Sequence, residues 1–99
     1  MLTFKELRER LEPSDIKKIL RQYGIEPHYE NKNYIIYETC CHNPIGHGSH
    51  KLYYYTNTHM FKCYIECESM FDIFELVTKI EALRGRKIGN AEAIKITGF

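Results

Sequence analysis

No stretch of this chain approaches the roughly 18 consecutive apolar residues of a membrane-spanning helix. Its opening, MLTFKELRERLEP, is too polar for a secretory signal. These absences lead us to expect a soluble, cytoplasmic protein with no membrane partner. A charge excess is missing too. Lysine and arginine number 14 against 13 aspartates and glutamates, for a formal net charge of +1. Bulk electrostatics therefore makes no case for nucleic-acid binding, and any such binding has to come from a local surface and be weak. There is no internal repeat and no low-complexity tract. No CxxC step precedes a helix in a βαβ setting, which speaks against a thiol redox protein. A length of 99 residues allows one domain with a small core, of the size that commonly needs a metal or disulfides to supplement burial.

What is present is concentrated. Residues 40–77, CCHNPIGHGSHKLYYYTNTHMFKCYIECESMFDIFELV, hold all four cysteines and four of the five histidines. An early pair, Cys40 and Cys41, and a late pair, Cys63 and Cys67, are separated by about twenty residues, the two-knuckle spacing of a zinc ribbon. In a reducing cytosol such cysteines are metal ligands or free thiols rather than disulfides. One structural zinc ion is therefore expected, held by four protein ligands that leave no open position for a catalytic water. A three-ligand set would reopen that question.

Cys63 and Cys67 are the firm half of the site, although their CxxxC step is one residue longer than the common ribbon knuckle. At the other end Cys40, Cys41, His42, His47 and His50 compete for two places. Adjacent side chains in extended chain point to opposite faces, so one of Cys40 and Cys41 should face the metal and the other the core. The favoured set is Cys41, His50, Cys63 and Cys67, with NPIGHGS looping the chain back to bring His50 to the ion. Cys40 with His42 is the runner-up. Otherwise His42, His47 and His59 are solvated loop residues, and the cysteines are small buried hydrophobes.

Around this centre the periodicity predicts an α+β fold: a zinc ribbon, meaning a small antiparallel sheet with one zinc, flanked by short helices. Residues 1–24 form an N-terminal helical segment and 25–99 the ribbon with its C-terminal helices, together one compact domain. Thr3 and Glu6 make a capping box for a helix over 3–11. Pro13 stops it, and Ser14, just after the proline, caps a second helix, which Gly24 ends. Strands are expected over Ile25–Tyr29 and Tyr34–Glu38 around the polar turn ENKN. The strand from Lys51 to Thr56 should alternate, with Lys51, Tyr53 and Tyr55 on one face and Leu52 and Tyr54 on the other. Ser69 or Asp72 caps a helix reaching about Leu83. RGRKIG is a basic loop, and Asn90 caps a last helix through Ile96. The closing TGF reads as a cut within a longer protein.

An aromatic strand beside lysines is one physical solution to binding single-stranded DNA, since bases stack on tyrosine rings while lysines meet phosphates. Lys51, Tyr53, Tyr55 and Lys62 are the candidates, and the competing reading of the tyrosines is a half-buried sheet face. A different class of function is a pure protein-interaction module, docking on a replication or transcription partner through the 71–83 helix or the basic loop.

Three pieces of the chain resemble a known family: CHN at 41–43, HKLYYY at 50–55 and FKCYIECESMFDIFELV at 61–77. In order and character they are similar to the amino-terminal zinc-binding module of bacterial-type DNA primases, the phage-encoded branch above all. NAEAIKI at 90–96 is similar to the short helix that follows in such primases. The likeness spans roughly residues 35–96. It implies a module that holds the single-stranded template during RNA primer synthesis in replication. The polymerase chemistry would belong to a primase catalytic domain in the same polypeptide, with a replicative helicase as a further partner. Two departures stand out: Cys41 and His42 are adjacent where the family has CxxH, and the late pair is CxxxC where it has CxxC.

Overall fold

In a computed structural model, which describes residues 3–67 and 69–99, four short helices accompany a four-stranded sheet. Glu68, in the polar link after the last cysteine, lies outside the described residues. Helix α1 (Phe4–Glu9) starts at Thr3, whose hydroxyl accepts the Glu6 N–H at 3.2 Å while the Glu6 carboxylate accepts the Thr3 N–H, the reciprocal box expected. Helix α2 (Pro13–Arg21) begins two residues earlier than expected. Proline fits the first helical position because its missing N–H needs no partner there. Glu12 is thus the N-cap in place of Ser14, its N–H donating to Asp15 Oδ2 at 2.8 Å. Gly24, at φ 78°, closes the helix.

The sheet is an antiparallel meander in the order β1 (Tyr29–Glu30), β2 (Tyr34–Tyr37), β3 (Leu52–Tyr55) and β4 (Met60–Cys63). The first strand is shorter than the period-two pattern over 25–29 suggested, because Pro27 interrupts it and has no N–H for a ladder. The turn that follows is built by Asn31, whose Oδ1 accepts the N–H groups of Asn33 and Tyr34 at 2.8 and 2.9 Å. Register then sorts the side chains. Ile35, Tyr54 and Phe61 line up on one face, followed by Tyr37, Leu52 and Cys63. This face is buried. Tyr29, Ile36, Tyr53 and Lys62 share the other face with Tyr34, Tyr55 and Met60.

Helices cover the first face only. Ile16, Ile19 and Leu20 of α2 join the core, as do Phe74, Leu76, Val77 and Ile80 of α3 (Ile73–Leu83). Asp72 is the cap of α3, its Oδ1 accepting the Glu75 N–H at 2.9 Å. Backbone pairing of Phe71 with Phe61, at 2.7 and 3.1 Å, returns the chain from the last cysteine across β4 into α3. Helix α4 (Asn90–Ile96) starts at Gly89, with Asn90 as its first residue rather than its cap. The basic loop before it is tied down, since Arg86 bridges Glu81 and Glu92. Among the described residues no helix is long and apolar enough to cross a membrane.

Candidate metal centre and aromatic face

Two reversals of the chain build the candidate centre. The first is the turn after β2, pinned by buried Thr39. Its N–H donates to the Ser49 carbonyl at 2.8 Å, and its hydroxyl bonds Asn43 Oδ1 at 2.8 Å and accepts the Ser49 N–H at 3.0 Å. The His42 and Asn43 N–H groups both donate back to the Thr39 carbonyl. Gly48 passes so near that a Cβ there would lie 2.7 Å from Thr39 N and Oγ1. The second reversal is the knuckle from Cys63 to Cys67, just beyond β4.

Together these turns bring Cys41, His42, Cys63 and Cys67 into one group whose ligand atoms all lie within 4.8 Å of one another. From His42 Nδ1 the sulfurs of Cys41, Cys63 and Cys67 stand at 3.3, 3.7 and 4.0 Å. A tetrahedral ion with metal–sulfur bonds near 2.3 Å and a metal–nitrogen bond near 2.0 Å would set such pairs roughly 3.6 Å apart. The observed distances bracket that value. All four cysteines are free thiols, so three sulfurs and one imidazole are available to hold a metal ion.

The electrostatics suits a cation. Burial, then the neighbouring Cys67 and Cys63 sulfurs, push the Cys41 thiol well above its ordinary range, and burial raises Cys67. Burial also opposes ionisation of Cys63, but the N–H groups of Glu66, Cys67 and Ile65 outweigh it and hold that thiol below its usual value. Thiolates crowded this closely repel one another, and a positive ion among them removes that cost. Glu66 lies 3.5 Å from His42 Nε2, where a carboxylate would fix the orientation of a ligating imidazole.

The histidine in this group is His42, not His50. Had the chain stayed extended past Cys41, adjacent side chains would have diverged. It turns instead, and in a turn successive side chains can converge. His50 is exposed and its ring lies parallel to that of His28, with centroids 3.7 Å apart and planes 3° apart. Ring-nitrogen lone pairs lie in the ring plane, so two parallel rings do not aim at a common ion. Cys40 is buried in the core with its thiol pushed up to about 12 by burial and Glu38. His47 is exposed, and His59 sits at φ 59° at the end of the β3–β4 turn.

The candidate nucleic-acid residues lie together beside this centre. Tyr53 and Tyr55 are half-buried on the uncovered sheet face, Lys62 pairs across from Tyr53, and Lys51 is exposed at the start of β3. Three further tyrosines enlarge the face. Tyr34 lies 5.2 Å from Tyr53 and 6.1 Å from Tyr55 between ring centroids, and Tyr29 lies 6.2 Å from Tyr34. Tyr64 meets Tyr53 edge-on at 5.0 Å. Its hydroxyl bonds that of Tyr55, and this bond, followed by burial, raises the Tyr55 phenol to about 12. The sequence places Tyr34 in a strand, and the β2–β3 register is what adds it to this face.

The chain is 42% identical over 90 residues to the SPbeta prophage-derived uncharacterized protein YorJ of Bacillus subtilis. The match takes in 90% of this chain but 24% of that protein, so the chain spans about a quarter of the relative's length. No family model and no solved structure matches the chain.

Proposed function

We propose that this domain is a structural zinc module of the ribbon type whose tyrosine face binds single-stranded DNA, as the zinc-binding module of a DNA primase holds its template. The observation that carries this reading is a Cys3His group of tetrahedral dimensions built at the end of the same sheet that leaves five tyrosines uncovered. Zinc is the ion that three thiolates and one imidazole suit, and four protein ligands make it structural rather than catalytic. Bases would stack on Tyr53 and Tyr55 while Lys51 and Lys62 meet phosphates, each stacked base contributing about 1–3 kcal/mol. A reducing cytoplasm is the compartment that keeps such thiols free for metal.

The resemblance to phage-encoded primases supports this reading, and the relative is itself prophage-derived. Primer synthesis would then rest with a catalytic domain in a larger polypeptide, and a replicative helicase would be a further partner. The competing reading, a module that docks on other proteins through the 71–83 helix or the basic loop, has less surface to use. Helix α3 commits Ile73, Phe74, Leu76, Val77 and Ile80 to the core, and Arg86 is held by two carboxylates.

The test is a titration of labelled single-stranded DNA with the zinc-loaded domain and with Tyr53→Ala and Lys51→Ala. We expect weak binding that each substitution reduces while zinc content stays at one per chain. Absence of binding by the unsubstituted, zinc-loaded domain would leave protein docking as the better reading.

A further inference from the structure

Tyr64 belongs at once to the metal knuckle and to the tyrosine face. It is the first of three residues between Cys63 and Cys67, and its N–H donates to the Lys51 carbonyl at 3.0 Å. Its ring meets Tyr53 edge-on, its hydroxyl is bonded to that of Tyr55, and the Lys62 ammonium stands 5.4 Å from its centroid. The side chain thus meets Tyr53, Tyr55 and Lys62 and the backbone N–H meets Lys51, while that same backbone is part of the loop that carries two sulfurs of the candidate centre. Its ring is still half exposed, at 50%. A core tyrosine would be covered, and a bystander on the surface would not engage the whole set.

We infer that Tyr64 is a further DNA-stacking residue, and that through it the occupancy of the tyrosine face is coupled to the geometry of the metal centre. This inference rests on the single-stranded DNA reading above. The physical basis is short-range. A base that stacks on Tyr53 or Tyr55 must meet or displace Tyr64, whose ring lies against Tyr53 and whose hydroxyl is bonded to that of Tyr55. Displacing that ring pulls on the backbone bonded directly to Cys63, one of the four residues of the candidate centre. A coupling carried by adjacent covalent bonds and direct contacts needs no longer pathway.

The experiment uses the cobalt-substituted domain, whose visible absorption reports the ligand geometry, together with anisotropy of a labelled oligothymidylate. Tyr64→Ala should lower affinity roughly 5- to 160-fold, the range for one lost stacking ring, at unchanged metal content. Tyr64→Phe should recover most of it. Saturating oligothymidylate should shift the cobalt bands of the unsubstituted domain and, at higher concentration, those of Tyr53→Ala, but not those of Tyr64→Ala. If the unsubstituted domain binds and Tyr53→Ala weakens it, yet Tyr64→Ala leaves affinity unchanged, or the bands stay fixed at saturation, the inference about Tyr64 fails and the DNA reading stands. If the unsubstituted domain does not bind at all, both fail together.

Discussion

Tyr53, Tyr54 and Tyr55 are consecutive and chemically identical, and the sheet gives them opposite environments. Tyr54 is fully buried, with its ring 4.9 Å from Phe61 and its phenol raised to about 12, chiefly by burial. Tyr53 and Tyr55 face the other way and keep part of their surface open. Alternation alone separates them into two sets. What makes one set core and leaves the other an open face is which side α2 and α3 cover. The metal group stands where the two faces meet, since Cys63 closes the buried row and Tyr64, the next residue, joins the open one.

The largest expected effect follows from that position. Cys63→Ser or His42→Ala should abolish stoichiometric zinc binding and remove stabilisation on the order of 10 kcal/mol, the scale of structural zinc in small modules. The 39–50 turn and the 63–67 knuckle then lose their common anchor, and the distinction between the two faces should blur. His50→Ala should keep its zinc. Metal analysis of the purified variants decides the matter: zinc retained by His42→Ala and lost by His50→Ala would restore the pairing first read from the sequence.

Next in size is the contrast between neighbours on one strand. Tyr54→Ala opens a cavity among Phe61, Tyr37 and the helices and should cost about 3–5 kcal/mol, as large aromatic truncations in cores do. Tyr53→Ala should fall within roughly 1 kcal/mol in stability, because it removes a partly exposed ring, while weakening DNA binding. Denaturant melts of the two zinc-loaded variants measure both. Equal losses would mean that the open face is packed more tightly than its exposure suggests.

These differences also mark what the sequence could and could not disclose. Alternation over 51–56, the caps Thr3 and Asp72 and the apolar stripe of α3 are local signals, set by propensity and period, and each is legible in a few residues. The polar turn ENKN, where Asn31 folds β1 back onto β2, is a local signal of the same kind. The histidine at the metal was not legible, because it depends on a turn held from a distance by Thr39, Ser49 and Gly48, and no periodicity reports such a turn. Strand β1 was overread because period two was weighed above the missing N–H of Pro27. Tyr64 was overlooked because it sits in a metal knuckle, where a tyrosine looks like spacer until the sheet register shows what it touches.

The smallest effect is an alkaline one, and it sharpens the comparison without any substitution. Burial raises the phenols of Tyr37 and Tyr54 in the folded domain, that of Tyr54 from 10.0 to about 12. A group whose folded pKa is raised stabilises the fold fully below its unfolded value and loses that contribution as pH rises through the folded one. Stability should therefore decline from about pH 10 toward pH 12, by at most about 1.4 kcal/mol per pH unit for each such phenol. Tyr54→Phe retains the ring and removes the titrating group, so its zinc-loaded melting curve should decline less steeply over this window. If Tyr54→Phe leaves the alkaline limb as steep as before, burial does not hold that phenol neutral, and the covered side of the sheet is more open in solution than the packing of α2 and α3 implies.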